Sequence, residues 1–394
     1  MGPLSGFRIV DLTQMVAGPM ATMILADQGA DVIKVEPPGG DFTRTQGAGP
    51  RGLAALFAST NRNKRSIAVD LRQAGGVELV CRLVAGADLF IQSFRPGAIE
   101  RLGLGEAALR EVRPDLVYVS LSGFGEEGPY VGKRVYDPVI QALSGLASIQ
   151  ADPETGRPRM MRLIVPDKVT ALTAAQAMTA ALLARSRSGR GQHLRLAMLD
   201  ATIAFLWPEG MALQTFPDLD VKPPRPSPDL VFRTADGYLT AGAMSDPEWT
   251  GFSRVLGHPE WIDDPRFRTP SLRLRNQAAR LELAAAVFSE RPTADWIARL
   301  DAEDVPCAPI LSRSEVLEDP QVRANAIVVE STHPEGGRLR QARPAARFQA
   351  TPASIRRPAP ALGEHDAEVA REAGFSENEI EALRAGGVLT RRVE

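Results

Sequence analysis

Asp167 is the residue whose position in this chain most directly suggests chemistry. It stands at the start of a long alanine-rich stretch, residues 165–192, with the sequence VPDKVTALTAAQAMTAALLARSRSGRGQ. An aspartate at the start of a helix can be its N-cap, because the carboxylate accepts backbone N–H groups and opposes the positive end of the helix dipole. A carboxylate held at the end of a buried helix can instead be a nucleophile. The segment alone leaves both roles open.

The helix that follows Asp167 carries small side chains on every face. Its alanines are Ala171, Ala174, Ala175, Ala177, Ala180, Ala181 and Ala184. This composition predicts a buried, closely packed helix rather than an amphipathic one. Burial would fix the position of Asp167 and keep water away from it, as a nucleophile requires.

Length and composition exclude several classes of protein. The chain has 394 residues, more than a single core usually supports, so two domains are expected. Its net charge of -2 gives no reason to expect nucleic acid or an anionic membrane as a partner.

The N-terminus lacks the pattern of a signal peptide and no long apolar run occurs, which predicts a cytoplasmic protein. The four histidines are too scattered for a metal site, so no metal is expected.

The first part of the chain alternates strand and helix patterns, which predicts an α/β fold with a parallel, Rossmann-like sheet. The predicted strands are FRIVDLT, ADVIKVE, SIAVD, DLFIQSF and LVYVSLSG. A helix near 137–147 and the Asp167 helix come next, and a last strand, HLRLAML, follows them. A proline-rich segment from Pro217 to Asp229 predicts a domain boundary. Beyond it, a hairpin at FRTADGYLTAG and several helices predict a smaller α+β domain that ends near VPCAPI.

Gly123, Gly125 and Gly128 match the GxGxxG fingerprint of dinucleotide-binding proteins. Their surroundings do not fit, because Pro129 follows directly and no amphipathic helix begins there. No acidic residue closes a second strand at the distance needed to hold a ribose. A nicotinamide or flavin site is therefore not predicted.

A set of linked segments resembles another family, the class III CoA-transferases of the CaiB/BaiF type. That family includes formyl-CoA transferases and the α-methylacyl-CoA racemases. The resemblance extends from about Leu4 to His365, in order, and rests on LSGFRIVDLTQMVAGPMATMILADQGADVIKVEPPGGD, NRNKRSIAVDL, FRPGAIERLGL, SGFGEEGPY, YDPVIQALSG, PDKVTAL with SGRGQ, DGYLTAG, VPCAPI and LGEH.

The resemblance implies a large Rossmann-like CoA-binding domain built from residues 1–216 and 326–394, and a small α+β domain at 217–325. It also implies a homodimer whose two chains interlock like links. The substrates would be an acyl-CoA and a carboxylic acid, with coenzyme A as part of the substrate and no permanently bound cofactor. Asp167 matches the family's nucleophilic aspartate, which forms a mixed anhydride with the acyl group and then an aspartyl-CoA thioester.

The resemblance also implies the residues that contact CoA. The backbone of Met15, Val16 and Ala17 would line the pantetheine path. The other matching positions are Arg72, Ser93, Phe94, Arg95, Arg101, Arg134 and Tyr136. Each arginine by itself is more often a solvated surface charge, so this prediction rests on their clustering. Pro37 stands where some members have a CoA-contacting arginine, for which Arg72 or Arg95 would substitute.

Two alternatives remain beside CoA transfer. An α-methylacyl-CoA racemase or epimerase would use the same scaffold, but racemases have a histidine base where this chain has Tyr136. A phenol, with an ordinary pKa of about 10, is a poor base at neutral pH, which favours transfer. The second alternative is a non-catalytic CoA-binding protein in which Asp167 only caps its helix.

Overall fold

A six-stranded parallel sheet frames the region around Asp167. A computed structural model describes residues 1–50, 53–218 and 229–390. The strands are β1 Arg8–Leu12, β2 Asp31–Glu36, β3 Lys64–Ala68, β4 Leu89–Gln92, β5 Val117–Ser122 and β6 His193–Ala197. Their order in space is β3-β2-β1-β4-β5-β6, and every neighbouring pair is parallel. This is the strand order of a doubly wound Rossmann sheet, so the predicted α/β fold with a parallel, Rossmann-like sheet is confirmed.

The connections between these strands carry eight helices, and a ninth follows β6. In chain order they are α1 Ala17–Asp27, α2 Ala55–Asn61, α3 Ala74–Ala85, α4 Ala98–Arg101, α5 Glu106–Val112, α6 Asp137–Leu143, α7 Leu146–Ile149, α8 Val165–Ser188 and, after β6, α9 Met198–Leu206. The single helix predicted near 137–147 is wrong, because α6 and α7 are separate. Gly145, between them, has a left-handed φ of 88°, which ends one helix and starts the next.

The sheet is buried on both faces, as a parallel sheet requires. Successive residues of β1 point to opposite sides, so Ile9 lies in one core and Val10 in the other. The Ile9 core contains α1 and α8, which pack against each other through small side chains such as Ala21 and Ala174. The Val10 core contains α3 and α5. The alanines of α8 therefore let the helix bearing Asp167 approach α1 closely.

The burial of α8 is one-sided, which corrects the expectation of burial on every face. Ala171, Ala174 and Met178 are fully buried against the sheet. Leu172 and Leu183, on the opposite side, are 58% and 51% exposed in this chain. Alanine composition alone cannot distinguish the two faces, because alanine is compatible with both environments.

The structure separates into two compact units, residues 1–223 with 326–394 and residues 224–325. The sequence placed the first boundary at residue 217, and residues 219–228 of that proline-rich segment lie outside the described residues. The second unit contains an antiparallel sheet in the order β7-β8-β9 and five α-helices in its described part. Its elements are β7 Phe232–Arg233, β8 Tyr238–Ala241, α10 Asp246–Val255, α11 Pro270–Arg275, α12 Gln277–Phe288, α13 Thr293–Ala302, β9 Cys307–Pro309 and, near its end, the short α14 Pro320–Ala324.

The C-terminal part of the chain returns to the first unit. It contains the hairpin of β10 Val328–His333 and β11 Gly337–Ala342, then α15 Asp366–Glu372 and α16 Glu377–Ala385. Val369 and Ile380 of these two helices complete the Val10 core. Across residues 1–50, 53–218 and 229–390, no helix combines the length and apolar character needed to cross a membrane.

Candidate active site

Asp167 lies in the first turn of α8 but is not its cap. The helix begins at Val165, and its N-cap, Ile164, makes no side-chain bond to the helix. Pro166 suits the first turn because the N–H that it lacks would have no intrahelical partner there. The backbone N–H of Asp167 donates instead to Oδ2 of Asp137, at 3.2 Å. The hypothesis that Asp167 only caps its own helix is therefore wrong, and its carboxylate is available for another role.

The Asp167 carboxylate faces the start of a second helix. The backbone N–H of Ala17, the first residue of α1, lies near this carboxylate and lowers its pKa. The N-terminus of a helix presents free N–H groups and a partial positive charge, so it stabilises an anion. The first turn of α8 and the start of α1 thus meet at one carboxylate.

Burial and, secondarily, the nearby Asp137 carboxyl raise the pKa of Asp167 to about 6, against the lowering effect of the Ala17 N–H. Burial also raises the pKa of Asp137, against the hydrogen bond from Gln141 Nε2 at 2.6 Å. With a pKa of about 6, Asp167 is still about nine-tenths ionised at pH 7. It combines a negative charge with a basicity above that of an ordinary aspartate, which suits a nucleophile.

Asp167 lines a cavity of about 410 Å³ at the carboxyl edge of the sheet. The cavity is bounded by residues that follow β1, β4 and β5, including Met15, Phe94 and Gly123. The strand order reverses between β1 and β4, and such a switch point is where open α/β sheets bind their ligands. The charged residues among those lining it are Arg95, Asp137 and Asp167.

A second cavity of about 240 Å³ lies beside the first and shares Ser93, Phe94, Arg95 and Tyr136 with it. Its wall adds Lys133 and Arg134, so three basic side chains line one small volume. No acidic residue is among the residues that line it. This arrangement fits a ligand with phosphate groups.

The structure brings most of the predicted site residues together. Lining one or both cavities are Met15, Ala17, Ser93, Phe94, Arg95, Arg134, Tyr136 and Asp167. Val16 is buried within the same loop as its neighbours.

Arg72 and Arg101 lie apart from these cavity linings. Arg72 follows the edge strand β3, is 83% exposed and pairs with Asp70 at 2.8 Å. Arg101 is exposed at the end of α4. Of the two arginines that would substitute for the contact missing at Pro37, Arg95 lines the cavities.

Sequence reasoning missed Asp137, Gly18 and Lys133 as members of the site. Asp137 followed by proline was visible only as the start of a helix, and nothing local connects it to Asp167, 30 residues later. Gly18 also lines the cavity, and a side chain is excluded there because a Cβ would lie 2.3 Å from the Thr13 side chain. The glycines at 123, 125 and 128 lie in a loop that continues to Tyr136, and no helix starts among them.

Comparison with known proteins assigns the family. Residues 4–366 match the sequence model of CoA-transferase family III. The mouse (Mus musculus) succinyl-CoA:glutarate CoA-transferase is 36% identical over 397 residues, covering 99% of this chain and 91% of that protein. This chain belongs to CoA-transferase family III. The resemblance to this family that the sequence indicated is therefore confirmed, and the site belongs to an enzyme of CoA-transferase family III.

Other members of CoA-transferase family III agree in sequence and in structure. The formyl-CoA:oxalate CoA-transferase of Streptomyces avermitilis is 32% identical and covers 98% of this chain and 99% of that protein. The crystal structure of a CAIB/BAIF family protein from Brucella suis superimposes with a TM-score of 0.83 at 34% identity, covering 94% of this chain and 99% of that one. The parallel sheet therefore belongs to a fold shared with these proteins.

Proposed function

We propose that this enzyme moves CoA from an acyl-CoA to a carboxylic acid through covalent intermediates on Asp167. The observation that carries the proposal is the position of the Asp167 carboxylate, largely buried, ionised at neutral pH and exposed to a cavity at the switch point of the sheet. Such a carboxylate can attack a thioester carbonyl without first losing a proton.

In the first half of the reaction, an Asp167 oxygen attacks the thioester carbonyl carbon and the C–S bond breaks. The products are a mixed anhydride and CoA thiolate. The thiolate then attacks Cγ of Asp167, which releases the donor acid and leaves an aspartyl-CoA thioester. The acceptor carboxylate repeats the two steps in reverse order, so one thioester replaces another and no nucleotide triphosphate is consumed.

The α1 N-terminus would stabilise the negative charge that develops on the attacked carbonyl oxygen. Gly18 lines the cavity next to Ala17, and its N–H belongs to the first helical turn, where N–H groups lack intrahelical partners. Pantetheine would pass Met15, Ala17 and Phe94. The phosphates would bind Arg95, Lys133 and Arg134 in the second cavity, while contacts from Arg72 and Arg101 stay predictions.

Mass spectrometry after incubation with a panel of acyl-CoAs tests this mechanism. The panel includes succinyl-CoA with glutarate and formyl-CoA with oxalate, because relatives are named for these pairs. We expect a hydroxylamine-sensitive adduct on the Asp167 peptide of the wild type and none in Asp167→Asn. An unmodified Asp167 peptide during measurable CoA exchange would refute the covalent mechanism.

A racemase would behave differently in the same preparation. Deuterium from solvent would enter the α-carbon of an acyl-CoA in the absence of any acceptor acid. A non-catalytic CoA-binding protein would bind acyl-CoA with neither exchange nor an adduct. Transfer predicts no deuterium incorporation, and incorporation at a rate comparable to exchange would favour the racemase.

The second cavity gives an independent test of CoA placement. We expect Lys133→Ala combined with Arg134→Ala to raise the KM for acyl-CoA about tenfold or more, and to leave the KM for an acyl-pantetheine thioester nearly unchanged. Arg371→Ala, which removes an exposed arginine paired with Glu377, is the control. An equal loss with both thioesters would contradict phosphate binding at this cavity.

We also propose that the enzyme is a homodimer with interlocked chains. The support in this chain is a set of large apolar side chains of the first unit that are exposed to solvent, which is typical of an interface. They include Leu172, Leu183, Phe205 and Phe216, each more than half exposed. Sedimentation equilibrium should give twice the chain mass of 42.5 kDa, and a monomer at micromolar concentration would refute the proposal.

A further inference from the structure

Four ionisable side chains beneath residues 13–19, which are the β1–α1 loop with the first turn of α1 and are called the loop below, have no role in the chemistry proposed above. We call Asp11, Lys34, Asp41 and Lys64 the buried charge network, since each is at most 1% exposed. Lys64 Nζ lies 3.0 Å from Asp11 Oδ2, and Lys34 Nζ lies 2.9 Å from Asp41 Oδ2. Removing such charges from water costs about as much as their pairing returns, so stability alone is a weak explanation for them.

The bonds of this network are directed at the loop. Asp11 accepts the Thr13 N–H at 2.8 Å, and Lys34 donates to the Thr13 carbonyl at 3.0 Å. Asp41 accepts the Met15 N–H at 3.3 Å. At the far end, Lys64 donates to the carbonyl of Pro19 at 2.9 Å. The loop is therefore attached at its start, its middle and its end.

Asp41 also has its own anchors, so it is a fixed point for the loop. The N–H and the hydroxyl of Thr43 donate to its Oδ1 at 3.0 and 2.8 Å, and its backbone N–H donates to Glu36. A carboxylate with this many donors has little freedom to rotate, and charge-assisted bonds of this kind are the stronger ones.

The other side of the loop lines the active-site cavity. Met15, Ala17 and Gly18 border it together with Asp167, whose pKa the Ala17 N–H lowers. Met15 has a φ of 70°, in the left-handed region that a side chain disfavours. A backbone of this kind persists only where its surroundings hold it in place, and it is a recurrent feature of functional sites.

We propose that the buried charge network is a positioning device for the active site. It holds the β1–α1 loop so that the Ala17 N–H is aimed at the Asp167 carboxylate, and Asp41 is the positioning residue that fixes Met15. This inference rests on the proposed role of Asp167 as nucleophile. Asp41 acts through the loop and does not touch the substrate.

The protonation of Asp167 reports directly on this role, because the Ala17 N–H stabilises only the ionised form. Carbodiimides modify protonated carboxyl groups, so the pH dependence of modification measures the titration. Asp167 and Asp137 lie on different tryptic peptides, residues 163–168 and 135–159, which mass spectrometry separates. The measurement needs no acyl-CoA and no turnover.

We expect Asp41→Ala to move the midpoint of Asp167 modification upward by about half a pH unit or more. Asp41→Asn should move it less, because the amide oxygen can still accept the Met15 N–H. The acid limb of kcat/KM should move in the same direction. Asp27→Ala is the matched control, since Asp27 is also buried and paired, with Arg62 at 2.7 Å, but has no bond to residues 13–19.

An Asp41→Ala protein that unfolds cooperatively in urea and keeps the wild-type midpoint would overturn the inference and leave the network a purely structural role. A midpoint shift of equal size in Asp27→Ala would do the same. If Asp41→Ala does not fold, Asp41→Asn is judged by the same criterion. A wild type that forms no adduct with any acyl-CoA would count against the nucleophile, and the modification midpoints would still decide the role of Asp41.

Discussion

Replacing Asp167 by asparagine should stabilise the folded protein at neutral pH while it abolishes transfer. The folded state raises the pKa of Asp167 from its ordinary value of 3.8 to about 6, chiefly through burial and secondarily through Asp137. Between these values the folded state binds a proton that the unfolded chain does not bind. The stability contributed by protonated Asp167 is therefore complete below pH 3.8 and is lost as the pH rises through about 6. Asparagine has no charge to bury, so the variant avoids this loss.

The size of the effect follows from the shift. The difference between 3.8 and about 6 corresponds to about 3 kcal/mol at about 1.36 kcal/mol per unit. The carboxyl group remains partly accessible to water, which reduces the expected gain to about 1–2 kcal/mol at pH 7. The amide oxygen of asparagine can face the Ala17 N–H as the carboxylate does, so little is lost in exchange.

Urea unfolding of wild type and Asp167→Asn at intervals from pH 4 to pH 7.5 measures the difference. The gain should be near zero at pH 4 and complete above about pH 6.5. Asp152→Asn is a control of opposite sign, because the N–H and hydroxyl of Thr155 hold the pKa of Asp152 below its ordinary value. A stability gain that does not vary with pH, or an Asp167→Asn variant that is less stable than wild type at pH 7, would refute the reasoning. It would show that ionised Asp167 does not reduce the stability of the folded state.

Two further predictions concern its neighbours. Gly18→Ala should lower the free energy of unfolding by about 1–3 kcal/mol and sharply reduce adduct formation, because the new Cβ would lie 2.3 Å from the Thr13 side chain. Gly39→Ala is the control and should do neither, because no atom lies within 4 Å of a Cβ at that position. Equal effects on unfolding and adduct yield in the two variants would contradict this. Asp137→Asn should move the acid limb of kcat/KM to lower pH, because it removes a charge that raises the pKa of Asp167. An unchanged or upward-moving limb in a pH–rate profile would show that Asp137 does not act on Asp167 through its charge.

The sequence by itself determined the order and type of most elements in the first unit. Strand and helix patterns depend on side chains two to four positions apart, so the βα alternation up to β5 was predictable from local spacing. Local chemistry also located Asp167 at the start of α8, and linked motifs assigned it the nucleophile's role by resemblance. Alanine composition could not predict which face of α8 is buried, and a single glycine divided the helix predicted at 137–147.

Only the tertiary structure decided what surrounds Asp167. The N–H that lowers the pKa of its carboxyl belongs to Ala17, 150 residues earlier in the chain, and the charge that raises this pKa belongs to Asp137. Both reach it because the strand order 3-2-1-4-5-6 brings the start of α1 and the loop after β5 to one edge of the sheet. The sequence shows Asp41 and Lys34 as ordinary charged residues, and it is their burial beneath the loop that directs their bonds. Local patterns specify which residues can react, whereas the pKa and orientation of a carboxylate depend on groups that only the folded chain brings within bonding distance.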